Sequence, residues 1–464
     1  MINLIDTKAG YVTLILVHLF LGVMLKVSPG IVALAYPLFF LLFMADVLYN
    51  LDRGSRAGFY ALHMIGYEMV YRMAGASYSW ELGKYASIIL LLFGLFVGGR
   101  KFIPWIFVFL LVLLIPAIFL TEHPDPERLN NMIMFNISGP MSLVVAGLYF
   151  YKRGIFQDVY FHQLKWAFLP AFTIIAGLSV VANLATVEFT SVQSSAGASG
   201  GFGPNQVSTV LGWFIMLALL YKINGESITP FSWLDWVILF YLILRALLTF
   251  SRGGVMGSTL ALLGSITVLY FTYPGFRRQL FKSMPYIFLS LLFFVGVFIF
   301  ANQMTNNYLL YRYQGLSTTE ALTGVRTGNT SVLTGRDEII KADFRTFLEH
   351  PGFGVGYGMG EKYRARYYGH AAAAHTEFAR LLSEHGILGV LFMLVGMIGL
   401  PIYFFLTEKH PLTRCFFIAF YLLSMFTMFH AAMRLALPGV LFGAAFMRIL
   451  PHKKEITDQT KSSV

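Results

Sequence analysis

Apolar runs recur along this chain with short polar breaks between them. Each is about 17 to 22 residues long, enough to cross a hydrocarbon layer as a helix. About fourteen spans fit, at 10–27, 32–50, 58–74, 83–98, 102–120, 131–151, 166–186, 205–221, 231–250, 254–272, 284–302, 386–405, 414–431 and 435–449. The expected fold is an all-α polytopic membrane protein of about 12–14 transmembrane helices. Composition agrees, because 57% hydrophobic, 16% aromatic and 12% charged residues leave too little polar surface for a soluble domain. The third span is the least regular, since His63, Glu68 and Arg72 interrupt it. It reads either as a span facing the bundle interior or as a partly interfacial helix.

Lys8 before an apolar run and Ala33-Leu34-Ala35 resemble a secretory signal with its cleavage site. Tyr36 to Met44 continue straight into the next span, so an uncleaved first helix is expected. The expected layout is a bundle of about eleven spans over 1–302 and a long polar loop over 303–385 with two short helices. C-terminal spans over 386–449 and a cytoplasmic tail over 450–464 follow. Cys415, the single cysteine, lies in an apolar run and offers no disulfide framework or thiolate metal site. The net charge of +11 is spread over short loops rather than gathered in one stripe, so no nucleic-acid partner is expected.

Alternating the spans and applying the bias of Lys and Arg toward cytoplasmic loops sorts the connections into two sets. One holds Arg53, Arg56, Arg100, Lys101, Lys152, Arg153, Lys165, Lys222, Arg277, Arg278, Lys282, Lys409, Arg414, Lys453 and Lys454. This set is expected to be cytoplasmic, with both termini. The other holds Glu122, Asp125, Glu127, Glu188 and the Ser/Gly stretch from Ser191 to Gly203, and the long loop falls with it. Chemistry is therefore expected on the outer face, which argues against ATP as a substrate.

The long loop carries Thr334-Gly335-Arg336, His350-Pro351-Gly352-Phe353-Gly354-Val355-Gly356, His375-Thr376-Glu377-Phe378 and Ser383-Glu384-His385-Gly386-Ile387-Leu388-Gly389. Thr334 with Asp337 approximates a capping box. Ile339, Ile340, Phe344, Phe347 and Leu348 along one side predict an amphipathic helix from Arg336 to Leu348, ended by Pro351. Arg336 in its first turn is either an anion-binding group or a solvated arginine. The glycines from Gly352 to Gly360 read as a turn permitting positive φ, because neither a Gly-Lys-Ser/Thr nor a strand accompanies them. A second helix is expected from near Thr376 to about Gly386, with Phe378, Leu381 and Leu382 on its apolar face. His375, at its start, is suited to proton transfer or to plain structural hydrogen bonding. His350, His370, His375 and His385 share the loop without a ligand spacing such as His-Glu-x-x-His, so no metal site is expected.

Ser251-Arg252-Gly253-Gly254 ends the ninth span on the same side. The two glycines permit close approach by a ligand or by another backbone. Arg245, seven residues earlier, reads as lying on the same helical face, either as a functional intramembrane charge or as half of a buried ion pair. Glu68 and Arg72 are four apart and form an internal ion pair by default.

This order of motifs resembles the O-antigen ligase and O-antigen polymerase superfamily, most strongly from Gly203 to Gly389, with Gly203-Pro204-Asn205-Gln206 as a further element. The resemblance implies a metal-independent, inverting glycosyltransferase of the bacterial inner membrane, without cofactor and with a periplasmic active site. It implies a polyprenyl-diphosphate-linked glycan as donor, and a lipid-A core or a second lipid-linked glycan as acceptor. By position, Arg252 and Arg336 match the arginines that grip the diphosphate and His375 the histidine that activates the acceptor hydroxyl. Arg72, Asn205, Arg245, Glu377 and Arg434 are the candidate substrate-binding residues. Many relatives have Asn after that histidine, whereas Thr376 and Glu377 follow here, so Glu377 either assists His375 or is a solvated helix-start carboxylate.

The remaining alternatives are a polymerase, a polysaccharide transporter or flippase, and a scaffolding membrane protein. The halves of the chain show no duplicated motifs or matching Gly/Pro interruptions of the kind common in transporters.

Overall fold

The computed structural model describes residues 4–75, 80–100, 102–282, 284–325, 336–369 and 372–451. The chain begins with α1 (Lys8–Val27), α2 (Pro29–Asn50), α3 (Arg56–Met73) and α4 (Leu82–Val97). α5 (Trp105–Leu114) and α6 (Pro116–Leu120) divide where Pro116 removes a backbone donor. α7 (Pro126–Phe150) starts cleanly because the Asp125 carboxylate accepts from the N–H groups of Glu127 (2.9 Å) and Arg128 (3.4 Å). α8 (Gln157–Phe168), α9 (Pro170–Val181), α10 (Pro204–Ile223), α11 (Ser232–Leu248), α12 (Arg252–Thr272), α13 (Pro274–Lys282) and α14 (Met284–Met304) follow.

The long loop holds α15 (Tyr308–Tyr313), α16 (Thr318–Thr323), α17 (Arg336–Glu349) and α18 (Gly360–Tyr368). α19 (Glu377–Leu391) is broken at Gly386 and runs through a π-helical segment, Phe392–Gly399, into α20 (Leu400–Thr407). The two expected helices correspond to α17 and the start of α19, and among the described residues α15, α16 and α18 are additional. α21 (Pro411–Ala431) and α22 (Leu437–Ala444) close the bundle.

The fold is all-α and polytopic. Among the described residues eight helices are long and apolar enough to cross a membrane, and Leu82–Val97, Trp105–Leu120 and Leu291–Met304 are shorter apolar helices. One expected span is shorter than its hydropathy indicates. The last expected span, 435–449, is an eight-residue helix, α22, that gives way to a strand. That strand, β2 (Arg448–Leu450), pairs in parallel with β1 (Gly154–Phe156), Ile155 opposite Ile449. The pair sits at the end of the bundle where α7 stops and α8 begins.

α3 is buried along almost its whole length, His63, Glu68 and Arg72 included. Of the two readings open for this segment, the interior one describes its position. α12 packs on α21 and α10, α1 on α9, and α22 on α7. The contacts of α12 with α10 and α21 depend on glycine, since a Cβ on Gly254 would collide with the Ser208 carbonyl of α10, and one on Gly253 with the His430 ring of α21. Both glycines therefore admit protein neighbours.

Candidate active site

The motifs separated in sequence meet at one end of the bundle, the end bearing the long loop. The turn after His350 has positive φ at Gly354 (75°), Gly356 (92°) and Gly358 (72°), as its composition predicted. The turn wraps the break in α19. Val355 N–H donates to Ser383 O (3.0 Å), Gly356 N–H to Glu384 O (3.1 Å), and Ile387 N–H to Pro351 O (2.8 Å). Gly386 has a φ of 58°, and a Cβ there would lie 2.6 Å from Gly352 O. The two glycine motifs interlock backbone to backbone. Gly358 N–H then donates to Glu384 Oε1 at 3.0 Å, and Tyr357 N–H to Thr121 Oγ1 at 2.8 Å.

A second junction joins Gly203-Pro204-Asn205 to the Ser-Arg-Gly turn. Ser251 Oγ donates to Asn205 Oδ1 (2.8 Å), and Ser208 Oγ donates to Ser251 O (2.9 Å). Phe250 takes a φ of 56° in the turn that separates α11 from α12. This break corrects one expectation, because Arg245 and Arg252 lie on different helices and share no face. The start of the long loop reaches the same turn, where Arg312 Nε donates to Phe250 O at 3.1 Å. Burial pushes the Tyr313 hydroxyl up to about 12 against the opposing charges of Arg252 and Arg312, so Arg252 stands close to α15.

Beside these junctions lies a cavity of about 570 Å³. Five cations line it, Arg72, Lys84, Arg364, Arg380 and Arg434, with the acids Glu361, Glu377 and Glu384. Most of these charges are braced. Arg72 Nη2 is 2.6 Å from Glu68 Oε1, and Lys84 Nζ is 2.6 Å from Glu81 Oε2 and 3.1 Å from Ser138 Oγ. Arg364 pairs with Asp343 (2.5 Å), and Arg380 pairs with Glu377 and donates to Asn136 Oδ1 (2.8 Å). Burial raises the Asp343 carboxyl above its ordinary value, and the Arg364 guanidinium opposes that rise. Buried carboxylates hold the guanidinium groups in place from behind, so little reorganisation is needed when an anion arrives.

The α21–α22 corner closes the cavity. Met433 N–H donates to Glu377 Oε2 (3.2 Å), Arg434 Nη2 to Ala374 O (3.2 Å), and Ala436 N–H to Glu68 Oε2 (2.8 Å). Residues 237–394 match the family model described as O-antigen ligase. That stretch is about a third of the chain, and it resembles an O-antigen ligase domain. No curated protein and no solved structure matches the chain. Together with the fold, the match gives an all-α polytopic membrane protein that is similar over residues 237–394 to O-antigen ligases.

Arg72, Glu377 and Arg434 line the cavity, and Glu377 is a buried, paired carboxylate rather than a solvated one. His375 lies between the lining residues Ala374 and Glu377 without being one of them. Asn205 is bonded to Ser251, and its neighbour Gln206 faces the cavity instead. Arg245 is elsewhere. It is fully buried and donates to Leu178 O (2.6 Å) and Ala182 O (3.0 Å), closing the C-terminal end of α9.

Thr334 and Gly335 lie outside the described residues, as does the cap expected there, and Arg336 is described only as the first residue of α17. α17 buries Ile339, Ala342, Asp343 and Thr346, whereas Phe344 and Leu348 are exposed. The expected apolar side is therefore split, because the Arg364–Asp343 pair draws the helix in by its polar edge. Sequence reasoning missed Arg380, Arg364, Glu384 and Lys84. Lys84 carried a usable signal, an ionisable residue inside an apolar run.

Proposed function

We propose that this chain transfers a glycan from a polyprenyl-diphosphate carrier to an acceptor sugar hydroxyl at the outer face of a bacterial inner membrane, in the manner of an O-antigen ligase. The observation that carries the reading is the cation-lined cavity beside the O-antigen ligase motifs, with an apolar groove next to it. That groove, about 370 Å³, runs between α17 and α19 and is lined by Ile340, Phe344, Phe378, Leu382 and Phe429. An anionic head with an isoprenoid tail fits such a neighbouring pair of sites.

Charge builds on the diphosphate as the glycosidic bond breaks. Arginines fixed in a partly dehydrated site stabilise that charge more than they stabilise the ground state. In this reading Arg252 and Arg336 take the diphosphate, with Arg72 and Arg434 in the cavity behind. The acceptor O–H attacks the anomeric carbon, its proton passes to His375, and the diphosphate leaves from the opposite face with inversion. Glu377 is held by Arg380 and Met433 N–H, so it fixes the start of α19 rather than taking the proton.

The test is incubation of purified protein with a lipid-linked oligosaccharide and either a lipid-A core or a second lipid-linked oligosaccharide, followed by mass analysis. Glycan on the lipid-A core supports the ligase, whereas elongated lipid-linked chains would make it a polymerase. Transfer to neither acceptor would reject the reading.

A further inference from the structure

One side chain in the cavity does not suit a purely anionic ligand. Trp80 lines the same space as the arginines, yet 50% of its surface is exposed. Its indole is held from two directions. The Arg72 guanidinium lies 4.8 Å from the ring centre, and the Phe202 ring, from the Ser/Gly stretch, lies 5.9 Å away at 49°. Arg72 is itself locked by Glu68, so the indole rests on a rigid support.

The polar groups nearby divide into two kinds. Asn136 has its amide committed to Met132 O and to Arg380. Asn131, which is exposed, and half-buried Gln206 also line the cavity, so their side-chain amides are open to water or to a ligand. Arg72 Nε is buried and without a hydrogen-bond partner among the described residues. A buried donor without a partner is costly, which points to a ligand that supplies one.

From this we infer that Trp80, with Asn131 and Gln206, forms a sugar-binding subsite for a pyranose ring of the glycan. A pyranose presents an apolar C–H face and an equatorial rim of hydroxyls. A braced aromatic surface matches the face, and planar amides that both donate and accept match the rim. Phosphate has no such face and gains nothing from the indole. The inference rests on the transferase reading for where the sugar comes from, because donor and acceptor glycans share this chemistry. An interfacial tryptophan anchoring α4 in the lipid headgroups is the competing role, and it predicts a different response.

The experiment uses full-length protein in nanodiscs, with three probes: sugar-free polyprenyl diphosphate, the lipid-linked oligosaccharide of the same cells, and that oligosaccharide released from its lipid. Trp80→Ala should weaken the two sugar-bearing probes about five- to tenfold and leave the sugar-free lipid unchanged. Trp80→Phe, which keeps a ring, should recover most of that loss. In transfer assays the KM that rises, for donor or for acceptor, identifies which glycan sits on the indole. Equal weakening of all three probes by Trp80→Ala, or a lowered Tm with no change in affinity, would overturn the subsite. Wild-type protein that fails to bind the sugar-free lipid would instead sink the donor reading. Trp80-dependent binding of the released oligosaccharide would then still stand.

Discussion

The two ends of the bundle both hold buried charges beside a cavity, yet they use them differently. At the end away from the loop, a cavity of about 550 Å³ is lined by Asp52, Arg100, Lys152 and Arg153 among others. Its ionic groups serve the protein. Asp52 accepts from Tyr149 Oη (2.8 Å) and Ala57 N–H (2.9 Å) and pairs with Arg153, while Arg100 caps α7 by donating to the carbonyls of Leu148 (3.3 Å), Tyr149 (2.8 Å) and Tyr151. At the loop end the pairs Arg72–Glu68, Arg364–Asp343 and Arg380–Glu377 are equally well braced, but they face open space beside a half-exposed indole and side-chain amides open to a ligand. The difference teaches that burial and pairing alone do not mark a site. Among the described residues, buried donors without a hydrogen-bond partner occur at both ends, Arg72 Nε and Arg153 Nε. What distinguishes the loop end is the half-exposed indole and the open amides beside its paired charges.

That contrast can be broken most directly at the loop end. His375→Ala and Arg336→Ala should each lower transfer by about 10²- to 10⁴-fold, with protein levels and Tm near wild type. Full activity at matched membrane levels would reject their assignment. Arg336→Lys should also impair transfer, by about tenfold, because an ammonium cannot reproduce a planar two-pronged contact.

At the far end the effect should appear in stability. Asp52→Ala leaves Arg153 and Tyr149 buried without their partner and should cost about 3–5 kcal/mol, read as a lost or strongly lowered Tm in detergent. The double variant Asp52→Asn with Arg153→Met should recover part of it. Recovery of no stability would mean that Asp52 acts outside this network.

Arg245→Met should cost about 1–3 kcal/mol by stranding the carbonyls at the end of α9, with KM for both substrates unchanged. A rise in KM without loss of Tm would move Arg245 into the binding machinery. The smallest effect is expected from Ser251→Ala, which removes one hydrogen bond to Asn205 worth about 1 kcal/mol. A transfer defect far larger than that would show that the junction of the two motifs positions Arg252 for the chemistry.

Much of the architecture was legible because bilayer thickness imposes a length on each span that can be read residue by residue. The glycine turn was legible for a local reason, since alternating glycines mark a backbone that needs positive φ. The error about Arg245 and Arg252 was also local. One expected span already ends at 250 and the next starts at 254, yet helical phase was carried across that break. Lys84 and Glu384 were passed over because a charge in an apolar run shows its purpose only when its partners, here Glu81 and Gly358, are known.

The sequence by itself determined that this is a polytopic membrane protein and that its spans are helices. Those properties follow from summed transfer free energies and short-range backbone geometry. Only the tertiary structure decided which charges face a cavity and which close a helix end, as Arg72 and Arg245 do. Both are buried arginines, and only the acid one turn from Arg72, Glu68, distinguishes them in sequence. That Arg72 faces a cavity while Arg245 closes α9 through the carbonyls of Leu178 and Ala182 depends on segments that long-range packing brings within reach.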